Sequence, residues 1–272
     1  ERSGETPKPR EEAELESATR LTRMALVAVV LIYLQLIAGA VMRHYEAGLA
    51  IPDFPLSYGQ VLPPTSAEQL ADANARRAFQ MQLPPVTQAQ VWLHFAHRIG
   101  AVFVSVAIIA MVTLALRRFR GRVSWELVNG AYLAAVAGLA ALGAAGAIGS
   151  RSGWVAGVTM LSLATIAAFI LRAFFRRMGD ARAILAPAIL SAALLLAQVT
   201  LGILTVLLRK PADIASAHVA VGALTLVTTF VLTIRAWRLK AVSSSTCTAA
   251  GAARASDDEE TEAFTREPVL AA

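Results

Sequence analysis

Residues 183–208 read AILAPAILSAALLLAQVTLGILTVLL, and this charge-free run decides the class of fold. About 20 apolar residues carry a helix across a ~30 Å hydrocarbon layer, whereas a soluble surface helix would break such a run with a polar face. Outward from it, the stretches 24–42, 99–116, 127–149, 154–171 and 219–234 are each nearly free of charge and near that length. The whole chain agrees: 56% of its 272 residues are hydrophobic, 16% are charged and mean hydropathy is +0.57. A soluble domain carries about 25% charge. The expected fold class is therefore all-α, a polytopic transmembrane helical bundle of six spans. The first run is too long for a cleavable signal peptide and is followed by no small-residue cleavage site with a soluble domain behind it.

The net charge of +6 and pI near 10.1 would suggest a nucleic-acid partner in a soluble protein. Here the bases flank the spans, as in cytoplasmic loops of membrane proteins, and no nucleic acid is implied. Arg20 and Arg23 precede span 1; Arg117, Arg118, Arg120 and Arg122 follow span 2; Arg172, Arg176, Arg177 and Arg182 follow span 4; Arg235, Arg238 and Lys240 follow span 6. The alternate connections are poorer in bases, which puts both termini in the cytoplasm of a bacterial-type inner or plasma membrane. Residues 1–22 and 241–272, the latter with the acidic block Asp257, Asp258, Glu259 and Glu260, read as disordered tails. Between them, 23–240 forms the membrane domain. Its long external loop, 43–88, is rich in proline and predicts a cap of turns with a short helix over 66–82. The single cysteine, Cys247, excludes an intrachain disulfide.

All four histidines fall on the outer side of this topology: His44 ends span 1, His94 and His97 begin span 2, and His218 begins span 6. At ~1.5 Å per residue, His97 and His218 lie roughly 5–12 Å inside the outer interface. Two imidazoles at matched depth on separate helices can ligate one metal between them. Read singly, each also has a plainer explanation, hydrogen bonding to a carbonyl or water near the interface. Ionisable residues within a span are costly unless paired or facing a cavity. Gly100 follows His97 and Gly222 follows His218, which would let a flat macrocycle approach both helices. A bis-histidine haem between bundle helices fits this pattern, and the absence of Cys-x-x-Cys-His excludes covalent c-type attachment. Arg98 and Arg43 are placed to meet haem propionates, with snorkelling to headgroups as the other reading. Zinc, held by His44, His94, His97, Glu46 or Asp53, is the competing metal.

Three stretches resemble a known family. Ala38-Gly39-Ala40-Val41-Met42-Arg43 with 47–60 (AGLAIPDFPLSYGQ) is similar to the first span and first external loop of the heme A synthase family. His94-Phe95-Ala96-His97-Arg98 resembles its second span, in which arginine follows a ligand histidine. Gln198 to Val206 with Ser216 to Gly222 resembles the helix pair that brings the partner histidine. The resemblance covers 24–116 and 183–236. It implies a four-helix haem-binding bundle made of spans 1, 2, 5 and 6, plus two extra helices, with His97 and His218 as iron ligands. It implies oxidation of a methyl group of haem O towards haem A for terminal oxidase assembly, with b-type haem as cofactor or haem O as substrate. Haem O synthase and a terminal oxidase are then the implied partners, beside the lipid bilayer.

Three departures accompany the resemblance. Full-length members carry two homologous halves, whereas this chain offers one histidine pair, so either a homodimer restores the second site or one site serves twice. Spans 3 and 4 read as a degenerate copy of the spans 5 and 6 hairpin. The family's loop cysteines appear here as Ile51 and Ser57, and the carboxylate expected three residues before the ligand falls on His94. That substitution leaves His94 as a base or proton shuttle, with Glu46 or Asp53 supplying negative charge; for Asp53 an Asx-type turn is the other reading. It also admits an alternative, a b-type cytochrome or haem-binding assembly factor without oxidation activity.

Overall fold

The computed structural model of the chain describes residues 10–119 and 181–266. Among them four helices are long and apolar enough to cross a membrane: α1 (Arg10–His44), α3 (Gln88–Arg118), α4 (Arg182–Leu207) and α5 (Ala212–Arg266). They contain the expected spans 1, 2, 5 and 6. The expected spans 3 and 4, at 127–149 and 154–171, lie outside the described residues.

The four long helices form a closed ring of neighbours, α1 packing on α3 and α5, and α4 on α3 and α5. Ala25 and Ala28 of α1, Ala107 and Ala115 of α3, and Ala188 of α4 are at or near full burial in the shared core. Small residues let backbones approach closely, which is where helix association in lipid finds its packing energy. Pro187 within α4 cannot donate to the carbonyl of Ala183. Arg235 of α5 supplies that donor, Nη1 to O at 2.9 Å, so one of the expected cytoplasmic anchors also ties two helices together.

Both segments expected to be disordered tails are helical where described. α1 begins at Arg10 and α5 runs on to Arg266. At the N-terminus the reasons are local: Glu11 and Glu12 suit the helix dipole, and Arg20 pairs with Glu16 four residues back at 2.5 Å. Arg118 adds a tertiary tie, donating to the Glu14 carbonyl at 2.7 Å and to the Ser17 hydroxyl. At the C-terminus an established helix extends at one hydrogen bond per residue fixed, through a segment rich in alanine, the best helix former.

The loop between α1 and α3 is a folded cap. Helix α2 (Ala67–Arg76), continued by a wide turn over Arg77–Met81, fills the expected 66–82 segment. It starts with a capping box between Ser66 and Gln69, and α3 starts with another between Thr87 and Gln90. Asp53 closes its own turn, Oδ1 accepting from the Tyr58 amide and Oδ2 from the Gly59 amide, both at 2.8 Å. Gly59 has φ of 79°, a left-handed conformation that glycine adopts without cost. Asn74 pairs with both backbone groups of Val86, at 2.9 and 3.0 Å.

Arg77 sits at the centre of the cap with 2% exposure. Its Nε donates to Pro84 O at 3.0 Å, and its Nη1 donates to Leu49 O at 2.8 Å and lies 3.3 Å from Ala50 O. The Tyr58 hydroxyl donates to Ala50 O and lies 3.4 Å from Arg77 Nη1. Burial raises the Tyr58 phenol above the usual tyrosine value, against the pull of the Arg77 guanidinium. Because the fold favours the neutral phenol, this contribution is whole below the unfolded value of about 10 and is lost as pH climbs through the higher folded one. Protease cleavage within 47–87 is expected to accelerate above that pH in the wild type. The acceleration should be smaller in Tyr58→Phe.

Candidate functional site

At the cap end of the bundle the apolar core gives way to a polar layer. His97 is the tenth residue of α3 and His218 the seventh of α5, both half-buried; His97 meets Gln35 of α1, and Gly222, one turn beyond His218, faces the adjoining Leu36. The two histidines that matched depth had paired thus lie at one level of the bundle, near residues 35 and 36 of α1.

Each imidazole meets a glutamine from the preceding long helix. Gln35 of α1 places Nε2 at 3.1 Å from Nδ1 and 3.3 Å from Nε2 of His97, and donates to the His97 carbonyl at 2.8 Å. Gln198 of α4 places Nε2 at 3.3 Å from Nε2 of His218. Glycines make these approaches possible. A Cβ at Gly39 would stand 3.3 Å from Cε1 of His97, and one at Gly202 would stand 3.1 Å from Cε1 of His218. Gly100 and Gly222, expected to admit a macrocycle, here make room for protein side chains. Gly100 faces Gln35 Oε1, and a Cβ at Gly222 would lie 3.0 Å from both Gln198 Nε2 and Leu36 Cδ2.

His94 and Arg98 serve the cap in this structure. His94 is 3% exposed, and its Nδ1 accepts the Ile51 N–H at 3.1 Å. Arg98 donates to the carbonyls of Leu56, Ile51 and Asp53 at 2.9, 3.0 and 2.7 Å. These bonds fold the cap down onto α3 beside the histidine layer. Arg43, His44 and Glu46 are exposed, at the end of α1 and just beyond it. Glu46 holds a left-handed turn with φ of 54° and its side chain caps nothing.

The donor set bears on which group the site could hold. Among the described residues no three His, Cys, Asp or Glu side chains gather as a metal-binding group, which is what a protein zinc site of four ligands requires. The suggested zinc ligands are dispersed: Asp53 and His94 are engaged with backbone amides, and His44 and Glu46 face outward. Two imidazoles without a carboxylate suit haem iron, which His97 and His218 would hold. Two buried atoms of this layer, Nδ1 of His218 and Oε1 of Gln198, have no hydrogen-bond partner among the described residues. Uncompensated polar atoms at that depth are costly, and a buried imidazole nitrogen without a protein partner among the described residues suits a ligand.

A family model described as cytochrome oxidase assembly protein, COX15-CtaA, matches residues 3–158. The chain belongs to this family. The family is that of heme A synthase, whose members act in haem A biosynthesis and oxidase assembly. The matched segment takes in α1, the cap and α3, and with them His44, His94 and His97. Helices α4 and α5, which carry Gln198 and His218, lie beyond it. No curated protein and no solved structure matches the chain.

Gln35 and Gln198 were missed in the sequence as site residues. A signal was there: Gln35 precedes Gly39 and Gln198 precedes Gly202 by the same four residues, one helical turn, which puts each pair on one face.

Proposed function

We propose that the chain is a heme A synthase-like membrane oxidoreductase that oxidises a methyl group of haem O towards the formyl group of haem A, for a terminal oxidase. The observation that carries this reading is that His97 and His218 each sit against a glutamine and a glycine at the cap end of the bundle, in a chain of the COX15-CtaA family. His97 and His218 would hold the iron, and a bound b-type haem would supply electron transfer. The chain's own residues then have separable tasks. His97 and His218 orient the group between α3 and α5. The cap, held down by His94, Arg98 and Arg77, excludes water from one end of the layer. Both termini lie in the cytoplasm, so that the cap and histidines sit near the outer face. One histidine pair per chain leaves either a homodimer or a single site that serves cofactor and substrate in turn.

A second reading, a bis-histidine b-type cytochrome or haem-binding assembly factor without oxidation activity, draws on His94. It stands where the family carries a carboxylate, and its Nδ1 is committed to the Ile51 amide. Membranes containing the chain together with a haem O synthase separate the two readings. Hydroxylated haem or haem A in the acid-acetone extract supports the oxidoreductase. Unchanged haem O alongside a bis-histidine spectrum supports the second reading and defeats the first.

A further inference from the structure

The contacts around the two histidines repeat. In the α1–α3 pair a glutamine, Gln35, meets His97, and a glycine one turn along, Gly39, lies against the imidazole Cε1. In the α4–α5 pair Gln198 meets His218, and Gly202 lies against its Cε1. A second glycine, after each histidine, gives the amide its room: Gly100 beside Gln35, and Gly222 beside Gln198. The same solution appears twice in segments that are otherwise unlike, QLIAG at 35–39 and QVTLG at 198–202. Packing alone does not call for it, because leucine fills a similar volume without placing an amide inside a span.

We infer that Gln35 and Gln198 are positioning residues that set the orientation of His97 and His218, Gln35 by bracing ring and backbone together and Gln198 by an amide able to serve its imidazole both before and after a metal is bound. This rests on the haem-ligating reading above. A primary amide carries two N–H donors and a carbonyl acceptor in one flat group. With the imidazole free, Nε2 donates to a ring nitrogen lone pair. Were one ring nitrogen to hold a metal, the other would carry the proton and need an acceptor. At Gln198 a half-turn of the amide would present Oε1 in place of Nε2 without moving the rest of the side chain. The buried Oε1 of Gln198, without a partner among the described residues, is such an acceptor held in reserve. Gln35 is braced by its further bond to the His97 carbonyl, which ties the amide to the turn of α3 that carries the ring. The glycines are part of the device, since a methyl group at Gly100 or Gly222 would take the space in which the amide sits.

The test uses the full chain purified from membranes of cells that make haem, comparing wild type with Gln35→Leu, Gln198→Leu, Gln35→Glu and Gln198→Glu. Each leucine variant is expected to lose haem affinity by about 10–100-fold. The haem it retains should have a shifted midpoint potential and an altered low-spin electron paramagnetic resonance signal, because the imidazole is no longer held. Each glutamate variant keeps an acceptor and is expected to retain haem at a lower potential, since a carboxylate raises imidazole basicity. Leucine variants with wild-type affinity, potential and resonance signal would overturn the inference and leave the glutamines as space fillers. If a leucine variant does not accumulate, the matching glutamate variant decides, and an unchanged potential there overturns the inference. Wild-type protein without haem would defeat the proposed function and this inference together. Haem-loaded wild type with indistinguishable variants defeats this inference alone.

Discussion

Alanine at His97 or at His218 is expected to abolish stable haem binding, a loss greater than the ~10–100-fold cost of removing a partner that only orients a ligand. The pyridine haemochrome content of purified protein checks it, and the low-spin bis-histidine spectrum should vanish in both variants. The other two histidines are the controls. His44 is exposed at the end of α1, and His44→Ala should leave haem content unchanged. His94→Ala strands the Ile51 amide, buried at the base of the cap, at about 1–3 kcal/mol for one unsatisfied donor. It should loosen the cap while the iron keeps both ligands. Full haem with an unaltered spectrum in His97→Ala or His218→Ala would refute the assignment of that histidine.

Arg77→Met is expected to unfold the cap. Arg77 is 2% exposed, and its guanidinium reaches Pro84 O, Leu49 O, Ala50 O and the Tyr58 hydroxyl. Methionine keeps much of the volume and removes every donor, leaving several buried acceptors at about 1–3 kcal/mol each. An expected loss of about 3–5 kcal/mol of local stability follows, the range seen when one partner of a buried charged network is removed. Arg77→Lys should rescue little, because a point ammonium cannot span acceptors arranged for a planar fork. Hydrogen exchange over 47–87 reads the effect directly. Unchanged protection there in Arg77→Met would show that the cap is held by Arg98 and its apolar contacts instead. Because Arg77 contacts the cap and neither histidine, the long helices should stay protected in the variant.

Much of this architecture was legible before folding was considered. Runs such as 24–42 and 183–208 have no alternative outside a membrane, since hydrocarbon demands internal hydrogen bonding and a helix supplies it. The helix over 66–82 was legible from punctuation, with proline before and after it. That His97 and His218 lie at the same end of the bundle was legible because depth in a span is a count of residues. The helical course of the described tail segments was not legible, because low hydrophobicity argues against a packed core, yet a helix continuing from a span needs none.

What sequence could not reach was how side chains far apart in the chain divide the available backbone groups. His94 and Arg98 each had a plausible chemical task, but they are bound to Ile51, Asp53 and Leu56, between 42 and 47 residues away. That choice belongs to the path of the cap, which no local pattern encodes. Asp53 was open between a turn and a source of negative charge, and its two amide contacts decide for the turn.

Sequence by itself determined that the chain lives in a membrane, how long its described spans are, and at which end its histidines lie, because the hydrophobic effect acts on composition and helical rise is constant. Only the tertiary structure decided which polar groups meet. It set Gln35 against His97 and Gln198 against His218, because hydrogen bonds are directional and short, and whether two groups come within their reach depends on how neighbouring helices are rotated and how closely their glycines let them pack.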